Sequence, residues 1–197
     1  LLASVPMGIL AAVKSGHWQD MLLMGLATIG VTIPSFVIAS LLIYCFSFRL
    51  KLLPTYGLAS LSGYILPVIA LGGYSVSYMA RLMRSSLLEV MGQDYIRTAR
   101  AKGLTEGAVV FRHALRNALI PLVTVLGPTI ANLLTGSFVV EKIFAIPGLG
   151  VHFVNSVSQR DYTTIMGVTI FYASFLMGMT LLVDLFYCLI DPRIRYD

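Results

Sequence analysis

Few residues of this chain have the types and spacing that chemistry needs. The three histidines, His17, His113 and His152, are scattered, and neither an HExxH metal helix nor a GxSxG nucleophile turn occurs. Cys45 and Cys188 stand within or near the ends of apolar stretches, without CxxC spacing or a neighbouring His cluster, so packing accounts for them better than metal or redox chemistry. There is no GxxxxGK[ST] phosphate cradle. If the protein performs work, the ATP must be hydrolysed by another chain. Asp184 is the one acid set near the inner part of an apolar run, a position that makes an acid a functional candidate. With Arg193 and Arg195 close by, a pairing or interfacial role for it outweighs a substrate or proton site.

The stretch from Arg81 to Arg116 is more informative. Its seven Lys and Arg residues stand against Glu89, Asp94 and Glu106, a net of +4. Asp94 is expected to cap a helix over Tyr95 to Lys102, and Gly103 to supply the left-handed residue that ends it. Thr105 can cap a second helix, with Glu106 in its first turn, where the helix dipole favours an acid. Ala108, Val109, Phe111 and Leu115 continue that helix with apolar residues. Two short helices around a Gly turn would offer Leu104 and the residues around Thr105 at a tip. Such regularity over about 36 residues exceeds what a solvated linker needs and points to docking on a partner. A helix–turn–helix with arginines can also read DNA, but both ends of this one enter apolar runs within a few residues. A duplex would have to approach a membrane edge-on, so no nucleic-acid partner is expected.

The elements that position this loop follow from composition. Hydrophobic residues make up 57% of the chain and charged residues 12%, with a mean hydropathy of +0.85, too apolar for a soluble domain. The bilayer is the expected solvent. Four charge-free runs are long enough to cross it: Met21 to Phe48, Leu52 to Ala80, Asn117 to Val140, and Tyr162 to Val183. Leu53 to Gly57 reads as a turn, so the second helix should start near Gly63, and the last run should resume after Asp184 and end near Asp191. The opening run, Leu1 to Val13, reads as the tail of a helix cut off upstream, giving about five helices in one transmembrane domain over 1–197. Placing the Arg81 to Arg116 loop in the cytoplasm puts ten of the fourteen basic residues inside and leaves Arg49, Lys51, Lys142 and Arg160 outside. Pro34, Pro121 and Pro128 fall inside spans, where a proline kinks the helix as a hinge or as static packing. Gly127, Ala131 and Thr135, four apart, form a narrow seam for close helix approach. Glu141 and Asp161 fall on the outer side, where solvation is the simplest account of each.

Four segments together resemble a known family, the inner-membrane permeases of binding-protein-dependent ABC importers, and within it the B-type permease of dipeptide, oligopeptide and nickel systems. They are Asp94–Leu104 with His113–Pro121, which is similar to that branch's EAA loop; Glu141–Gly150; Arg160–Tyr162; and Asp191–Tyr196. Arg97 replaces an acid of the general EAA pattern and Leu115-Arg116 replaces a Leu-Pro, both as in the peptide branch.

The resemblance implies an all-α helix bundle in a bacterial or archaeal cytoplasmic membrane, lacking the family's first helix. Ala99, Arg100, Lys102, Gly103, Leu104, Thr105, Glu106 and Gly107 would form the coupling element that sits in a groove of an ATPase subunit. Phe144, Pro147, Gly148 and Gly150 would lie on the side that receives the binding protein. The implied partners are a second permease, two ATPases that carry the ATP and Mg, an extracytoplasmic binding protein and membrane lipid. The chain itself would bind no cofactor or metal and would be no enzyme. Peptide is the expected cargo, with nickel or another small ligand second. A non-transporting scaffold and an intramembrane enzyme are the rival readings.

Overall fold

The computed structural model describes residues 1–57 and 60–190. Asp191–Tyr196 and the side chains of Ala131, Thr135, Asp184 and Cys188, on which parts of the reading above fall, lie outside that description. Every regular element among the described residues is helical: α1 Ser4–Val13, α2 Trp18–Thr32, α3 Ser35–Arg49, α4 Ser62–Met91, α5 Asp94–Ala101, α6 Glu106–Ala118, α7 Ile120–Thr135, α8 Phe138–Ile143, α9 Leu149–Gln159 and α10 Tyr162–Ile190. Helix α4 and the stretch Tyr162–Leu182 of α10 can each cross a membrane by length and hydropathy. The pairs α2–α3 and α6–α7 each qualify as one broken span, for up to four in all.

The prolines act according to where they fall. At Pro34 the expected kink is a complete break. Ile33, held extended by the proline after it, ends α2 at ψ 125°, and α3 restarts at Ser35. Pro121 is the second residue of α7, where a helix N–H has no partner to lose, whereas Pro67 and Pro128 sit inside α4 and α7 without ending them. Two stretches, Ile43–Arg49 of α3 and Val109–Ala114 of α6, widen to i→i+5 hydrogen bonding, which the sequence does not announce.

The chain forms two compact units, divided within α4 at Gly72/Gly73 and within α7 at Leu126/Gly127. The first comprises Leu1–Ile33 and Gly73–Leu126. Its core joins Met83 and Leu87 of α4 to Ile96 and Ala99 of α5, Val109, Val110, Ala114 and Ala118 of α6, and Leu122 of α7. Small residues bring its helices close: a Cβ on Gly8 of α1 would stand 2.7 Å from the Ala80 carbonyl oxygen of α4. The second unit contains Pro34–Gly72 and the residues from Gly127 on. Ala39, Leu66, Ala70, Val140 and Phe144 make its core, and the Phe138 ring lies 4.8 Å from Phe153 and 4.9 Å from Tyr172.

Candidate coupling loop and outer turn

The loop at the end of α4 is built as a clasped helical hairpin. Helix α5 begins one residue earlier than expected: the Gln93 carbonyl accepts from the Ile96 and Arg97 N–H groups, so Gln93 is the cap and Asp94 the first helical residue. Asp94 instead lies 3.5 Å from Arg97 on the exposed face. The helix ends as expected. Gly103 takes φ +77° and its N–H reaches the Arg100 carbonyl at 2.9 Å. Nothing stands within 4 Å of where its Cβ would be, so the backbone angle is what calls for glycine here. Thr105 then caps α6, its Oγ1 accepting from the Ala108 N–H at 3.4 Å.

Two contacts that spacing alone does not reveal close the hairpin. At the tip, the Arg100 guanidinium donates to both Glu106 carboxylate oxygens at 2.7 and 3.2 Å, and this pairing raises the Arg100 pKa above its ordinary value. At the base, the Asn117 amide donates to the Tyr95 hydroxyl at 2.7 Å. Of the eight residues expected at the tip, Arg100, Lys102, Gly103, Leu104, Thr105, Glu106 and Gly107 are exposed together. Ala99 is buried with Ile96 against the core of the first unit, so it supports the tip from beneath.

The turn after α8, expected on the outer side, is held from within. Ser137 caps α8, and Phe144 follows it, 3% exposed in the core of the second unit. Ala145 turns the chain at φ +51°, and the Ile146 N–H bonds back to the Glu141 carbonyl at 2.9 Å. Glu141 is not a solvated surface acid. Its Oε2 accepts from the Gly150 N–H at 2.9 Å, at the N-terminus of α9. Three glycines make room for that carboxylate. A Cβ on Gly136 would lie 2.6 Å from Oε1 and one on Gly150 2.7 Å from Oε2, and one on Gly148 would overlap Oε2. Of the four residues expected on this face, Pro147 is exposed, Gly148 half-buried, and Phe144 and Gly150 buried. An acid followed by Gly148 and Gly150 was the available signal. Asp161 likewise has structural work, capping α10: its carboxylate accepts from the Thr164 hydroxyl at 2.6 Å and N–H at 3.1 Å, and these bonds lower its pKa.

A third ion pair has no counterpart in the local sequence pattern. Asp20, 5% exposed, accepts from Arg84 at 2.6 and 2.7 Å and from the Gly16 N–H at 3.0 Å, joining the start of α2 to α4. The residues lie 64 apart in sequence, which no local pattern reports. No group of three or more His, Cys, Asp or Glu able to hold a metal occurs among the described residues.

A polytopic helical membrane protein is the class this architecture defines. The family model for the inner membrane component of binding-protein-dependent transport systems matches residues 4–196, and the chain belongs to that family. It is 50% identical over 195 residues to the dipeptide transport system permease protein DppB of Bacillus subtilis (strain 168), covering 99% of this chain and 63% of that protein. It is 46% identical over 196 residues to the glutathione transport system permease protein GsiC of Salmonella paratyphi A, covering 100% of this chain and 64% of that one. It is 43% identical over 199 residues to a DppB of Lactococcus lactis subsp. cremoris, covering 99% and 66%. The chain thus spans just under two thirds of the length of these relatives.

Proposed function

We propose that this chain is the permease part of an ABC importer that moves short peptides across the cytoplasmic membrane, driven by ATP hydrolysed on separate subunits. The observation that carries this reading is its likeness, over nearly its whole length, to permeases named for dipeptide and glutathione transport. The hairpin supports it physically: Leu104, 40% exposed, and its neighbours sit on a tip braced by Arg100 and Glu106, as a surface that docks on an ATPase requires. ATP-driven closure of two ATPases would then move the helices between inward-facing and outward-facing states. In this reading a second permease completes the pathway, and a binding protein delivers substrate near the α8–α9 turn. The chain is a multi-pass transport subunit with no ATPase site of its own. ATP and Mg belong to the partners.

Gly103→Val tests the reading. A β-branched residue at φ +77° distorts the tip without reaching the core. In the reconstituted full assembly, substrate-stimulated ATP hydrolysis and ATPase association should both fall at least ten-fold. Unchanged coupling would remove the docking role. Unchanged peptide uptake in cells lacking this chain and any redundant system would favour the scaffold.

A further inference from the structure

The first unit carries a groove with the shape and charge of an amphiphile, apart from the hairpin. Helices α2 and α4 are held at two places. Asp20 binds Arg84 at one, and at the other Gly30 approaches so closely that a Cβ there would stand 3.0 Å from Ser77 Cβ. They therefore run antiparallel, and a groove follows one side of the pair. Met24, Thr28 and Val31 border it from α2, and Tyr74, Tyr78 and Arg81 from α4. Spacings of three and four residues put each set on one helix face. Two clefts of about 420 and 330 Å³ make up the groove, and Arg81 borders both.

Arg81 is the first charge after the run that begins at Leu52, which sets it at the edge of the hydrocarbon. It is exposed and forms no ion pair among the described residues, whereas the neighbouring Arg84 is matched by Asp20. From Arg81 to Tyr74 the groove extends seven residues toward the membrane interior, about 10 Å of helix. The larger cleft continues on the wet side of Arg81, where the paired Asp20 and Arg84 and Ser85 also line it, and the smaller one leads inward past Tyr78 and Tyr74. An unmatched guanidinium between a polar recess and an aromatic, largely apolar trough complements a phosphodiester joined to an acyl chain. This is also the side that the distribution of Lys and Arg places inside, where anionic lipid is concentrated.

We propose that the α2–α4 groove binds one anionic phospholipid of the inner leaflet, its phosphate paired with Arg81 and an acyl chain lying along Tyr78 and Tyr74. The assignment does not depend on what the protein transports. Trp18, the only tryptophan, lies beyond Arg81 on the wet side, so the fluorescent reporter is moved: Trp18→Phe with Ile29→Trp sets a single tryptophan at an exposed position level with Tyr78, because Asp20 faces Arg84 and Gly30 faces Ser77. The full chain carrying that tryptophan is placed in phosphatidylcholine vesicles containing a minority of phosphatidylglycerol brominated on its acyl chains, and its quenching is compared with that in the same vesicles carrying brominated phosphatidylcholine. A preference for phosphatidylglycerol of about five-fold is expected, the size of one arginine's attraction to an anionic headgroup. Arg81→Gln should bring it to about one, Arg81→Lys should keep most of it, and Arg97→Gln, in α5, should leave it unchanged. No preference in the unaltered chain, survival of the preference in Arg81→Gln, or an equal loss in Arg97→Gln would each overturn the site.

Discussion

The hairpin after α4 and the turn after α8 are both short helix–turn–helix elements stabilised by a glutamate, yet the two glutamates work in opposite ways. Glu106 meets Arg100 in solvent at a tip whose glycines have open space around them. Glu141 fills the space left by three glycines and satisfies a helix N-terminus from within. One element presents its turn and the other encloses it. Close similarity of local pattern therefore says little about which turn offers a surface; what surrounds each glycine decides that.

The sharpest way to break this contrast is Gly150→Val. A Cβ at Gly150 would lie 2.6 Å from the Phe138 backbone, which cannot yield as a side-chain end can. A loss of about 3 kcal/mol is expected in thermal unfolding of the detergent-solubilised chain. Next, Glu141→Gln should lower stability by about 1 to 2 kcal/mol by weakening the bond to Gly150, while Glu106→Gln leaves the unfolding midpoint in place. Equal effects would erase the distinction. Gly103→Ala should cost about 1 kcal/mol through its φ of +77°, whereas Gly107→Ala, helical and unobstructed, should add a few tenths. The smallest effect concerns pH. Because its bonds to Thr164 hold the Asp161 carboxyl below the usual aspartate range, the stability it adds is complete above the unfolded value. That stability is lost as pH falls below about 4 through the folded one. Asp161→Asn should lower the neutral midpoint slightly while leaving the midpoint in strong acid in place, which flattens the acid limb of the unfolding profile.

Sequence made the local features legible. Gly103 and Thr105 report the hairpin because a positive φ and a helix cap are set within a few residues, and charge-free runs report spans because hydrocarbon admits little else. Asp94 misled by one position because a backbone carbonyl, that of Gln93, could serve in place of a side chain. The partners of Asp20 and Glu141 were hidden for a different reason: each depends on where a distant or folded-back segment arrives, and both acids look like ordinary span boundaries in the linear chain. Pro34 showed that the chain would bend there, but not that α2 would end.

The Tyr95–Asn117 hydrogen bond has a mechanical consequence. Twenty-two residues separate the two side chains, and between them lies the whole hairpin, tied again at its far end by Arg100 and Glu106. Ties at both ends hold the two helices together when the tip is pushed. A load on Leu104 is thereby passed along the hairpin toward Asn117, three residues before α7 begins, and Tyr95→Phe, which removes the basal tie, would let the helices part more readily there.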